Sequence, residues 1–150
     1  MLSAGYGDHV IGSQVVAGVG TLFQVASQRP GHTYVVVVND GSAAAAMTVD
    51  LSGLSGARGG TATTLTGAPT AMNSLAHPTA VAPTTSTLSA HGTSFKYTFP
   101  ANSVTVLDLT TSGGVSVAGS SLARGARTTT AVKIARQAIR GGAASTRTVR

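Results

Sequence analysis

SFKYTFPANSVTVLDL, residues 94–109, is the stretch that decides the fold class. Phe95, Tyr97 and Phe99 alternate with Lys96 and Thr98, and a two-residue period puts all three rings on one face of a strand. Pro100-Ala101-Asn102 then interrupts the pattern, because proline brings no backbone donor and a fixed φ. Ser103 to Leu109 resumes as a second strand, and its apolar residues fall on both faces.

Working outward from this pair, TLFQVASQ (21–28) and TYVVVVN (33–39) read as two strands joined by Arg29-Pro30-Gly31-His32, a hairpin. Asn39-Asp40-Gly41 marks a second reversal built from residues that accept positive φ, and AAMTVDL (45–51) returns with Met47, Val49 and Leu51 on one face. The expected order is a meander. A short strand is predicted near Thr61 to Leu65, followed by a long loop through Pro69, Pro78 and Pro83 that has neither helical nor alternating periodicity. Tyr34 to Val38 is apolar on both faces; a strand of that kind either finds cover on two sides or leaves its outward valines as ordinary exposed apolar surface.

Composition agrees. Only 9% of the 150 residues are charged, against about 25% in ordinary soluble proteins, and Thr, Ser, Ala, Val and Gly dominate. The fold class expected is all-β: an antiparallel β-sandwich, jelly-roll-like, either complete or incomplete. The chain is too short for a (β/α)8 barrel, which needs roughly 250 residues. It contains no cysteine, so disulfides, thiol nucleophiles and Cys-based zinc sites are excluded. MLSAGYGDHV has neither the charged nor the apolar region of a signal peptide, and the longest aliphatic run, Val35 to Val38, is far below the roughly 20 residues of a membrane span.

The net charge of +6 is unevenly placed. Seven of the ten basic residues follow Gly113, and the chain up to Ser112 carries a net −1. The expected organisation is an entry segment over 1–20, a β-sandwich over 21–111 and a low-complexity basic tail over 112–150. That tail reads as disordered or as a short helix over Thr130 to Arg140, with Val132, Ala135 and Ile139 on one face and Lys133, Arg136 and Arg140 on another. A basic surface of this kind is electrostatically sticky but implies no specific nucleic acid partner.

The chemistry-bearing residues are sparse. The only acids are Asp8, Asp40, Asp50 and Asp108, and there is no glutamate. Asp8 falls in the entry segment, Asp40 in a turn, and Asp50 and Asp108 near strand ends, where lone surface carboxylates are ordinary. His9, His32, His77 and His91 stand singly in loops or turns, without the i, i+4 spacing that brings two imidazoles to one metal. No GxSxG elbow activates a serine, and Gly18-Val19-Gly20 lacks the third glycine and helix of a dinucleotide site. No catalytic, cofactor-binding or metal-ligating residue is assigned. With no Trp and few Tyr and Phe, an aromatic platform for sugar is weakly signalled.

The run LTGAPTAMNSLAHPTAVAPTTSTLSAHGTSFKYTFPANSVTVLDL, Leu65 to Leu109, resembles the last strands of the family 51 α-L-arabinofuranosidases. Met1-Leu2-Ser3-Ala4-Gly5-Tyr6-Gly7-Asp8-His9-Val10-Ile11 resembles the stretch by which that family's barrel enters its C-terminal β-sandwich. The resemblance covers about residues 1–111 and implies a parent whose acid/base and nucleophile are glutamates on a (β/α)8 barrel. A retaining glycosidase needs two carboxyl groups about 5–5.5 Å apart. The resemblance therefore implies a non-catalytic C-terminal domain that supports an absent barrel, with Met1 internal to the parent through truncation, a split gene or a late start. It also implies action of the parent on arabinose-containing hemicellulose, in the cytoplasm or outside the cell, and a tendency to form homo-oligomers. A stand-alone module that binds arabinose-containing polysaccharide, and the accessory sandwich of another glycosidase family, are the alternatives. Two features depart from the family: Asp108 stands where a basic residue commonly ends the last strand, and the chain continues well past it.

Overall fold

The computed structural model describes residues 6–16, 22–51, 53–112 and 131–136, which contain nine strands and no helix. They are β1 (His9–Val16), β2 (Leu22–Arg29), β3 (His32–Asn39), β4 (Ala45–Asp50), β5 (Ala57–Thr66), β6 (Thr84–Gly92), β7 (Ser94–Phe99), β8 (Ser103–Thr111) and β9 (Ala131–Arg136). Hydrogen bonding runs in the order β6-β5-β8-β3-β2-β1-β9-β4-β7. The all-β class expected from the sequence is present, but the sheet is mixed rather than purely antiparallel, because β1 and β9 run parallel.

The two layers share β1. Its first residues, His9 to Ile11, pair antiparallel with β2, and Gly12 to Val16 pair parallel with β9. Thus β6-β5-β8-β3-β2-β1 forms one sheet and β1-β9-β4-β7 the other, with β1 changing partner between Ile11 and Gly12. At the opposite seam the chain itself makes the corner. Thr93 links β6 to β7, Gly92 takes φ +80°, and the Leu51 amide donates to the Thr93 carbonyl at 2.7 Å.

Alternation fills the space between the layers. Val35, Val37, Leu107, Leu109 and Ala26 project inward from the larger sheet, and Met47, Val49, Val132 and Ile134 meet them from the smaller one. Phe95, Tyr97 and Phe99 all pack on this core, as their spacing predicts, and Met47, Val49 and Leu51 are all buried. At roughly 1.5–3 kcal/mol for each large apolar side chain buried, this layer supplies the main driving force for folding.

Three expectations are corrected. The order is not a meander: β4 pairs with β7 and β9 rather than with β3, and β7 pairs with β4 rather than with β8, so the chain crosses between sheets at Asp40 to Ala44 and at Pro100 to Asn102. The Asn39-Asp40-Gly41 reversal uses no positive φ; the one described non-glycine residue in that region is Asn102, at φ +44°. Residues 131–136, expected as disordered or as part of a helix over Thr130 to Arg140, are strand β9. The reason is local: Val132 and Ile134 are β-branched and alternate with exposed Lys133, and the cleft between β1 and β4 rewards a period of two over one of 3.6. Two further strands lie where the sequence pattern predicts none, β1 inside the segment 1–20 and β6 between the long loop and Ser94; the latter is short of apolar residues, with Leu88 and Ala90 alone buried.

The remaining loop, residues 67–83, is held by its own bonds. Asn73 Nδ2 donates to the Val81 carbonyl at 3.0 Å while Asn73 Oδ1 accepts from the Val81 amide at 2.7 Å, and Ser74 and His77 exchange backbone bonds of 3.1 and 3.2 Å. This closes a compact loop that displays Met72 and Leu75 to solvent.

Candidate functional site

The register of β2, β3, β8 and β5 fixes what the outer face of the larger sheet presents. Phe23 lies opposite Val38, Val25 opposite Val36, Val36 opposite Val106, and Leu65 opposite Val104. These are the alternate positions to the core residues, so a second apolar stripe runs across the back of the sheet. Val36 and Val106 are buried by their neighbours alone, whereas Phe23 is 60% exposed and Val10, beyond it on β1, is 77% exposed. A shallow cavity of about 330 Å³ opens over Tyr6, Phe23, Val25, Val36, Val38 and Val104. A second, of about 340 Å³, lies between the same Val38 and Val104 and the loop residues Pro69, Ala71 and Val81. The two share a wall and form one continuous apolar surface.

One end of this face is polar. His32 Nδ1 lies 2.7 Å from Asp108 Oδ1, the His32 ring stacks on Tyr34 with centroids 6.0 Å apart, and the Arg29 guanidinium sits 5.2 Å from the Tyr34 ring centre. The Tyr34 hydroxyl is buried with no hydrogen-bond partner among the described residues. Burial pushes its pKa above the usual phenol value, Asp108 and, more weakly, Asp8 push it the same way, and Arg29 opposes them. The Gly7 amide donates to Ser27 Oγ at 2.9 Å, which ties the incoming chain beside this cluster. There is no room for a side chain at residue 7, because a Cβ would fall 2.2 Å from Gln28 backbone atoms.

The residues singled out in the sequence are dispersed. Asp8 is exposed ahead of β1, Asp40 is exposed in the turn after β3, Asp50 closes β4, and Asp108 lies within β8 beside His32. His77 is in the loop, but His9, His32 and His91 belong to strands, and His32 does not stand singly. The His32–Asp108 contact joins residues 76 apart, a separation that no local spacing signals. No three His, Cys, Asp or Glu gather as a metal site among the described residues. What the outer face can do chemically is exclude water from an apolar partner of matching shape.

The family model for the α-L-arabinofuranosidase C-terminal domain matches residues 5–103. The chain belongs to that family. Among solved structures, the arabinose-bound MgGH51 α-L-arabinofuranosidase aligns with a TM-score of 0.65 and 34% identity, covering 73% of this chain and 18% of that one. The Thermotoga maritima α-L-arabinofuranosidase, solved as an arabinose complex, aligns at 0.54 with 29% identity over 60% of this chain and 19% of that one. The family 51 arabinofuranosidase of Xanthomonas axonopodis pv. citri aligns at 0.53 with 29% identity, covering 63% and 20%. No curated protein matches. This arabinofuranosidase C-terminal domain thus spans about a fifth of the length of the solved enzymes it resembles.

Proposed function

We propose that this domain is the non-catalytic sandwich of an α-L-arabinofuranosidase-type glycoside hydrolase acting on arabinose-containing hemicellulose, and that it supports a catalytic barrel through the outer face of its larger sheet. The observation that carries the reading is the second apolar stripe. Phe23, Val25, Val38, Leu65 and Val104 cost solvation where they stand, and the sandwich core makes no use of them. A barrel packed there would bury them and gain on the order of 25 cal/mol for each Å² removed from water. The domain contributes no acid pair to the chemistry in this reading; its role is to hold the barrel's loops in register.

The test has two parts. The purified chain is expected to leave an aryl α-L-arabinofuranoside unhydrolysed, and hydrolysis abolished by substituting one of its aspartates would overturn the reading. Co-expressed with a family 51 barrel deprived of its own C-terminal domain, the chain is expected to restore soluble, active enzyme. The same chain carrying Phe23→Lys and Val38→Lys is expected to fail. Restoration that is indifferent to those two charges would place the supporting contact elsewhere.

A further inference from the structure

The family match ends at residue 103, yet a strand from beyond it completes the core. β9 lies between β1 and β4, parallel to the first and antiparallel to the second. Val132 and Ile134 are fully buried, with Ile134 opposite Val15 on one side and Val49 on the other. Exposed Lys133 stands opposite Asp50 on the outward face. Eighteen residues, 113–130, separate β9 from the end of the described part of β8 and its following serine, and the Gly12–Ala131 pairing spans most of the chain.

We propose that the seam between β1 and β4 is a binding site for an extended peptide strand, which residues 131–136 occupy in cis. The site reads a short pattern. It wants aliphatic residues at alternate positions, to fill the cleft beside Val15 and Val49, and accepts a solvent-facing residue between them. Backbone donors and acceptors of β1 and β4 supply affinity, and the two buried side chains supply selectivity, as in other cases of strand addition. A connection of this length holds the strand at an effective concentration of order millimolar, so a peptide in trans competes poorly until the connection is cut. The proposal does not depend on the barrel reading, because it concerns the opposite layer of the sandwich.

A protease site inserted between residues 113 and 130 of the full chain allows the folded protein to be nicked. The fragment carrying β9 is then expected to co-elute with the rest, and a fluorescent peptide of residues 128–138 to replace it saturably. A peptide with Val132→Asp and Ile134→Asp should bind at least 100-fold more weakly. In the intact chain, backbone amides of residues 12–16 and 131–136 should be protected from hydrogen exchange together. Immediate loss of the nicked fragment without uptake of the labelled peptide, equal binding of the double-aspartate peptide, or free exchange of both segments in the intact chain would each overturn the proposal.

Discussion

The buried amide of Asn39 donates to the carbonyl of Pro100 at 2.8 Å, so the end of β3 is tied directly to the turn between β7 and β8, 61 residues away. The same nitrogen reaches the Ala43 carbonyl at 3.0 Å and the Phe99 carbonyl at 3.3 Å, and Asn39 Oδ1 accepts from the Gly41 amide at 3.0 Å. One side chain thereby satisfies groups at two of the places where the chain leaves one sheet for the other. Asn39→Ala should cost about 2–4 kcal/mol, since it removes all four of these bonds at once, although the Pro100 carbonyl keeps its bond from Ser103 Oγ. Asn39→Asp should cost at least as much, because a carboxylate would face three carbonyl oxygens. The shift in urea midpoint at constant m-value measures both; a loss below about 0.5 kcal/mol for either would contradict the assignment.

Tyr34 gives a pH dependence with a definite sign. The unfolded chain sheds its phenolic proton from about pH 10, whereas the folded protein holds that proton to higher pH. Between those two points the unfolded state binds fewer protons, so stability falls as pH rises, and below pH 10 the effect vanishes. Tyr34→Phe keeps the stacking surface for His32 and Arg29 but removes the unpartnered hydroxyl. It should be neutral or stabilising by about 1 kcal/mol at neutral pH and should flatten the alkaline limb. Urea midpoints at pH 8 and above pH 10 check both statements.

Gly60 lies beside a register shift in β5, and a Cβ there would fall 2.1 Å from the Asp108 carbonyl oxygen. Gly60→Ala must push β5 from β8 and is expected to cost roughly 1–3 kcal/mol or more. Thr63→Ala, further along the same strand, is the control: its hydroxyl lies 2.9 Å from that of exposed Thr85 on β6, and its loss should cost less than about 1 kcal/mol. Thermal midpoints of the two variants should therefore separate clearly.

The outer stripe predicts self-association of the isolated chain. Sedimentation velocity should show concentration-dependent species, and Phe23→Lys with Val38→Lys should return a monomer whose unfolding midpoint is nearly unchanged, because neither residue belongs to the core cluster. A sharp monomer peak for the unsubstituted chain would count against an uncovered face.

Much of this architecture was legible in the sequence because two-residue alternation is a local signal. Phe95, Tyr97 and Phe99, and Met47, Val49 and Leu51, announce their faces within six or seven residues. What was not legible is pairing. Nothing near Asp50 says that β4 joins β7 and β9, since partner choice depends on how a closed core is filled rather than on the strand's own residues. β6, which follows the long loop, was not legible because Thr and Ser at an edge give strand propensity without hydrophobic alternation. β9 was lost because AVKIAR also satisfies a helical stripe when read with Ile139, and only the vacancy between two distant strands decides between the periods. The outer apolar face was anticipated from Tyr34 to Val38, but the polar cluster at its end needed His32 and Asp108 in space.

β1 is clamped by β2 along one half and by β9 along the other. Tension applied to the chain ahead of His9 would therefore load both layers lengthwise at once, and their hydrogen bonds would have to shear as a group instead of peeling open one after another. Pulling on that strand therefore meets the pairing of both layers together rather than one bond at a time.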